Sequence, residues 1–276
     1  MIATPQVNPN TAKHRFDFES YGVLVRIESN DAEAFNGATT VAHRSLLENV
    51  SEISSSTFDH EFALDRLPNG DLMLIHNGVE LGASDTPLKA FRFFDSILRV
   101  SVGEIAPDRV FLHAGVVGWK GKAIVMPADS FQGKSTLTAE LVKQGAEYYS
   151  DDFAIIDVGA MVHPFPRRIA MRTEDFKTYD LGIEELGGRV GHEPIPVGLV
   201  LLTRYDPEAD WDPQIETSGS GVLKLIPFTL SIRNRPEFSM EVLHKLASRA
   251  IIVSSLRGSA ERFAETLLDF VDNHVN

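Results

Sequence analysis

The residues best suited to chemistry lie in the run Ala123-Ile124-Val125-Met126-Pro127-Ala128-Asp129-Ser130-Phe131-Gln132-Gly133-Lys134-Ser135-Thr136-Leu137-Thr138. It sets Gly133-Lys134-Ser135 between an apolar stretch and a segment of helical spacing, the context in which a loop can cradle phosphate. Backbone N–H groups at a helix start point at an anion, and the helix dipole favours negative charge there by about 0.3–1 kcal/mol. Gly133 lets the backbone approach phosphate oxygens without a Cβ between them. Lys134 brings a mobile cation for β- and γ-phosphates, and Ser135 a hydroxyl for Mg²⁺. In the pattern G-x-x-x-x-G-K-[ST] the first glycine falls on Ala128. The candidate cofactor contacts are Ser130, Gln132, Gly133, Lys134, Ser135 and Thr136, and the cofactors expected are ATP and Mg²⁺.

A second constellation follows. Ser150-Asp151-Asp152 sits among Tyr148, Tyr149, Phe153, Ile155 and Ile156. Two carboxylates inside so apolar a strand are costly unless used. Magnesium is a hard cation that needs oxygen ligands beside the phosphates. One aspartate would hold the metal and the other accept a proton from an attacking hydroxyl; which does which is open. Arg167, Arg168 and Arg172 follow in an otherwise acidic chain, and a guanidinium's planar fork binds two phosphate oxygens at once. Arg168 is the one assigned here to the reaction. Arg257, just before the last helix, is a further candidate for the same pocket. The nine histidines form no H-E-x-x-H pair, so a zinc enzyme is not expected.

These residues need elements to position them. Residues 110–117 and 123–126 are β-rich runs around the turn Gly118-Trp119-Lys120-Gly121. Residues 134–144 have Leu137 and Leu141 on one side and stop at Gly145, as a helix with a glycine C-cap does. Residues 148–157 and 196–202 read as strands, and 241–249 and 259–271 as helices, the last with Phe263, Leu267 and Val271 in one stripe. Strands interleaved with helices predict an α/β domain over residues 106–276. Before it, residues 16–27 alternate as a strand does. Residues 62–67 and 72–75 form a hairpin around Pro68-Asn69-Gly70-Asp71, and Asn77-Gly78 is a second turn. Residues 87–102 have helical spacing with Leu88, Phe91, Phe94, Leu98 and Val102 on one side. Residues 1–105 therefore read as a β-rich N-terminal domain closed by a helix, without recognisable chemistry.

Composition narrows the partners. The 276 residues hold 26 Lys and Arg against 39 Asp and Glu, a net charge of −13. A surface that negative repels nucleic acid and anionic membranes, so neither is an expected partner. Without cysteine there are no disulfides, thiol nucleophiles or iron–sulfur clusters. The N-terminus lacks a signal peptide's basic and apolar regions. The most apolar stretch, around residues 195–202, falls short of the ~18 residues a membrane span needs. The expectation is a soluble, cytoplasmic protein.

The segments Leu112-His113-Ala114-Gly115-Val116-Val117, Gly133-Lys134-Ser135-Thr136 and Gly145-Ala146-Glu147-Tyr148-Tyr149-Ser150-Asp151-Asp152 resemble the catalytic domain of HPr kinase/phosphorylase and its kinase relatives, over residues 113–172. The resemblance implies a mixed-sheet P-loop core like that of phosphoenolpyruvate carboxykinase and phosphorylation of serine on a protein or peptide partner. It implies that Lys134 binds phosphate, that Ser135 and Asp151 serve Mg²⁺, that Asp152 is the base, and that His113 lies near the γ-phosphate. An ATP-binding regulatory protein without transfer and a small-molecule kinase or ATPase are the competing functions. A homo-oligomer is left open.

Overall fold

The computed structural model describes residues 13–47, 49–129, 132–172 and 178–275, the last two runs without the side chains of Arg172 and Thr178. Two compact units divide the chain between Pro107 and Asp108.

The first unit runs β1 (His14–Ser20), β2 (Val23–Ser29), α1 (Ala32–Ser45), β3 (Ser51–Glu52), β4 (His60–Arg66), β5 (Leu72–His76), β6 (Val79–Ser84) and α2 (Pro87–Ile105). Its described strands form one six-stranded sheet ordered β3-β1-β2-β4-β5-β6. The single strand expected over residues 16–27 is two, because Tyr21 and Gly22 both take left-handed φ (51° and 75°) and turn the chain back. That geometry is the tight hairpin turn that matches strand twist. Asn77-Gly78 turns the same way, with φ of 48° and 78°. Helix α1 was not foreseen; the Asp31 carboxylate caps it by accepting from Ala34 N–H at 2.8 Å. In α2 the buried stripe holds Ala90, Phe94, Leu98 and Val102, whereas Leu88 is 63% exposed and lies off it.

The second unit runs β7 (Arg109–Trp119), β8 (Lys122–Pro127), α3 (Lys134–Lys143), β9 (Glu147–Ser150), β10 (Phe153–Asp157), β11 (Met161–His163), β12 (Ile169–Arg172), β13 (Thr178–Leu181), β14 (Arg189–Val190), β15 (Ile195–Tyr205), β16 (Gln214–Ile215), α4 (Ser218–Leu225), α5 (Pro236–Arg249), β17 (Ile251–Arg257) and α6 (Ala260–His274). Among the described residues a nine-stranded mixed sheet forms its centre. Strands β8, β15 and β17 are parallel, while β7 runs antiparallel to β8, β9 and β10. Helices α3 and α6 pack on one face through Leu137, Leu141, Phe263 and Leu267. Helices α4 and α5 cover the other through Val222, Leu225, Val242 and Leu246. A strand buried on both sides needs a continuous apolar run, and Ala123, Ile124, Val125 and Met126 of β8 are all buried. The result is a three-layer α/β unit. No helix among the described residues is long and apolar enough to cross a membrane.

The strand expected over residues 148–157 is interrupted. Strands β9 and β10 both pair with β7, but the ladder lapses at Asp151 and Asp152. The Ser150 hydroxyl accepts from the N–H groups of Asp152 and Phe153 at 3.2 and 3.1 Å. This local turn competes with the sheet for those donors and sets the two carboxylates at a break in the strand.

Candidate functional site

The site is assembled around the start of α3. Strand β8 runs into the loop that ends at Gly133, which takes left-handed φ of 75° as the helix N-cap, and no side chain caps the helix. Such an end leaves backbone donors for an outside acceptor. Helix α3 lies close on β7 because Gly115 has no side chain: a Cβ there would stand 2.6 Å from Thr138 Oγ1 and 3.1 Å from Lys134 Cγ. At its far end, left-handed Gly145 and the Ala146 N–H to Leu141 carbonyl bond close the helix as a glycine C-cap does.

Six expected residues meet here. The Ser135 hydroxyl donates to Asp151 Oδ2 at 2.7 Å. Asp151 is 9% exposed, and its Oδ1 and the Thr138 hydroxyl are both buried without a hydrogen-bond partner. Burial raises the Asp151 carboxyl to about 6, against the opposing pull of the Ser135 hydrogen bond, the Lys134 charge and the nearby Thr138 hydroxyl. Lys134 Nζ lies 2.9 Å from His113 Nε2. With the ammonium as donor, Nε2 accepts and the imidazole proton sits on Nδ1. Burial lowers the Lys134 ammonium from its ordinary value, while Asp151 and Asp129 hold it up. His113 Nδ1 is 4.0 Å from Asp152 Oδ1, and Arg167 Nη1 is 3.7 Å from Asp152 Oδ2. The two aspartates thus differ sharply in setting. Asp151 is sunk beside the serine and the lysine; Asp152 is more open, between a histidine and an arginine.

The donor set fits magnesium. Among the described residues no group of three or more His, Asp or Glu could hold a metal unaided. Magnesium is commonly held by one or two carboxylates together with substrate phosphates and water. The buried Asp151 carboxylate lies beside the hydroxyls of Ser135 and Thr138, an oxygen set that suits a hard cation.

Other expected residues fall elsewhere. Gln132 and Gly133 lead into α3, and Thr136 is exposed on its first turn. Ser130 and Phe131 lie outside the described residues, as does the Arg172 side chain. Arg168 is not brought to the cluster: it is 53% exposed, 2.6 Å from Glu185 and 3.4 Å from Glu184, and Arg167 stands beside Asp152 in its place. Two contributors, Gly115 and Thr138, were not singled out as pocket residues in the sequence. Gly115 carried a signal, a glycine inside an apolar strand, which marks a close approach. Thr138 shares the Ser135 face of α3 at a spacing of three. Arg257, a candidate from the sequence, reaches the loop from β17, donating from Nη2 to the carbonyls of Gln132 at 3.1 Å and Gly133 at 3.0 Å.

No protein-family model matches the chain, and no curated protein matches it. Among solved structures it is similar to the Hpr(Ser) kinase/phosphatase from Coxiella burnetii, at 14% sequence identity and a TM-score of 0.34, over 59% of this chain and 95% of that one. So loose a superposition carries no argument, and the functional reading rests on the site's own residues.

Proposed function

We propose that this chain binds ATP with Mg²⁺ at residues 128–135 and transfers the γ-phosphoryl group to a serine hydroxyl on a protein or peptide. The observation that carries the reading is the convergence of Lys134 and Ser135, at an uncapped helix start, on His113, Asp151 and Asp152 from β7 and the β9–β10 break. A lysine, a hydroxyl and two carboxylates in unlike surroundings are the parts phosphoryl transfer uses.

The roles follow from the surroundings. Ser135 and Asp151 would hold Mg²⁺, which would supply positive charge against the phosphates. Lys134 exchanges His113 Nε2 for phosphate oxygens, and the first N–H groups of α3 take others. Asp152 accepts the proton of the attacking serine hydroxyl, with His113 Nδ1 at 4.0 Å and Arg167 Nη1 at 3.7 Å beside its carboxylate. Arg167 also answers the negative charge spread over the transferring group. A serine on an extended segment suits this site better than one on a folded surface, because a flexible segment reaches a recessed phosphate.

Phosphoproteomic mapping of a cell extract treated with the purified protein, ATP and Mg²⁺ tests the proposal. New phosphoserine sites, absent with the Asp152→Asn variant, support it. Label found only on a sugar, nucleoside or other metabolite rejects the protein acceptor and leaves the nucleotide site. Nucleotide binding without any product supports a regulatory ATP-binding role instead.

A further inference from the structure

Arg257 ends β17, 124 residues away from Gly133, yet its guanidinium lies against the loop backbone. It is 2% exposed. Nη2 donates to the carbonyls of Gln132 and Gly133, and Nη1 to that of Gly258 at 3.1 Å. Its Nε is buried without a partner, and among the described residues no carboxylate pairs with it. The remaining neighbour is the Tyr205 ring, its centroid 5.7 Å from Cζ. A guanidinium keeps its proton at physiological pH. A buried charge answered only by carbonyl dipoles and an aromatic ring is costly unless a counter-charge arrives. The contact with Gly133 is close enough that a Cβ there would stand 2.7 Å from Nη2.

We infer that Arg257 is a positioning residue of the phosphate-binding loop, and that its charge is held there to be answered by bound polyphosphate. Its bonds hold the Gln132 carbonyl toward β17 and brace the Gly133 carbonyl, which also accepts the Leu137 N–H at 3.0 Å as the first bond of α3. A carbonyl facing the ligand would repel an anion; with these two engaged by the guanidinium, the uncapped first N–H groups of α3 are left for it. The same bonds brace the left-handed turn at Gly133 from which α3 starts, and they tie the end of β17, which is separated from β8 by β15, to the loop. In the free protein the uncompensated cation adds to Lys134 in drawing an anion to the helix start.

The inference rests on the reading of residues 128–135 as a phosphate-binding loop, so the test separates the two. Isothermal titration with Mg²⁺–ATP and with Mg²⁺–pyrophosphate is run on the full chain, on Arg257→Gln and on Arg257→Lys, with circular dichroism melts of each. The glutamine variant should fold, melt near the wild type without ligand, and bind both ligands at least tenfold more weakly. The lysine variant keeps the charge without the fork and should recover part of that loss. Glutamine and lysine variants that bind alike, a glutamine variant that binds like the wild type, or one that fails to fold would each overturn the inference, the last by showing that the arginine holds the fold rather than the loop. A wild type that binds neither ligand would instead refute the phosphate-loop reading beneath it.

Discussion

Replacing Asp151 by asparagine should stabilise the free protein above pH 6 while weakening its magnesium-dependent binding of nucleotide. Burial moves this carboxyl from an ordinary 3.8 to about 6. At 1.36 kcal/mol per pH unit, the ionised form is disfavoured in the folded state by about 3 kcal/mol at neutral pH. Between the two values the native state holds the extra proton, so this contribution favours folding most at low pH and is lost as pH rises through about 6. Asparagine has no such titration, and its Oδ1 can still accept the Ser135 hydrogen bond. For a domain of roughly this size a change of 1 kcal/mol moves the melting temperature by about 2–4 °C, so the full effect is about 6–12 °C. Thermal melts of both proteins without ligand, from pH 4.5 to 8, give the difference curve. It should stand at about 1 kcal/mol in favour of the variant at pH 4.5 and grow to about 3 kcal/mol by pH 7. Adding Mg²⁺–ATP should raise the wild type more than the variant, since the cation answers the charge that asparagine lacks. A difference curve flat with pH, or a variant less stable than wild type at pH 7, would refute the reasoning.

Lys134→Ala should abolish most of the melting shift given by Mg²⁺–ATP; ligand at a hundredfold excess over Kd stabilises the wild type by about 2.7 kcal/mol. Asp152→Asn should keep the Kd for Mg²⁺–ATP and lose roughly 10²–10⁴-fold in turnover, the usual scale of general-base assistance. Arg167→Gln should lower kcat more than it raises the Kd for ATP, because only contacts strengthened in the transition state accelerate the step. Arg168→Gln, which loses only exposed pairs with Glu184 and Glu185, should leave steady-state kinetics near wild type.

What could be read from the sequence was local. Gly133-Lys134-Ser135 is contiguous, and the apolar strand before it and the helix after it announce themselves within a dozen residues on each side. Asp151 and Asp152 stood out because charge is rare in so apolar a setting, and their unlike neighbours now separate them: Ser135 beside Asp151, Arg167 beside Asp152. Arg167 and Arg168 could not be told apart in advance, since adjacent residues of an extended segment point to opposite sides, and only the partners decide which side faces the site. Arg257 was a candidate by its place before the last helix, but its partner in the loop was not legible. Its contact with Gly133 depends on the placing of β17 in the sheet, and nothing local encodes that. Helix α1 was missed because its buried stripe is mostly small, Ala34, Ala38 and Ala42 with Val41, whereas large apolar side chains mark most helical periodicities. Tyr21 concealed a hairpin, because a bulky residue at left-handed φ is uncommon.

The most direct measurement compares ATP labelled in the γ-phosphate with ATP labelled in the α-phosphate, each supplied with Mg²⁺ and cell extract to the wild type and to Asp152→Asn. Label from the γ-position alone should appear on serine, with the wild type only. No labelled serine, label transferred equally from the α-position, or the same yield from the variant would contradict phosphoryl transfer through this site.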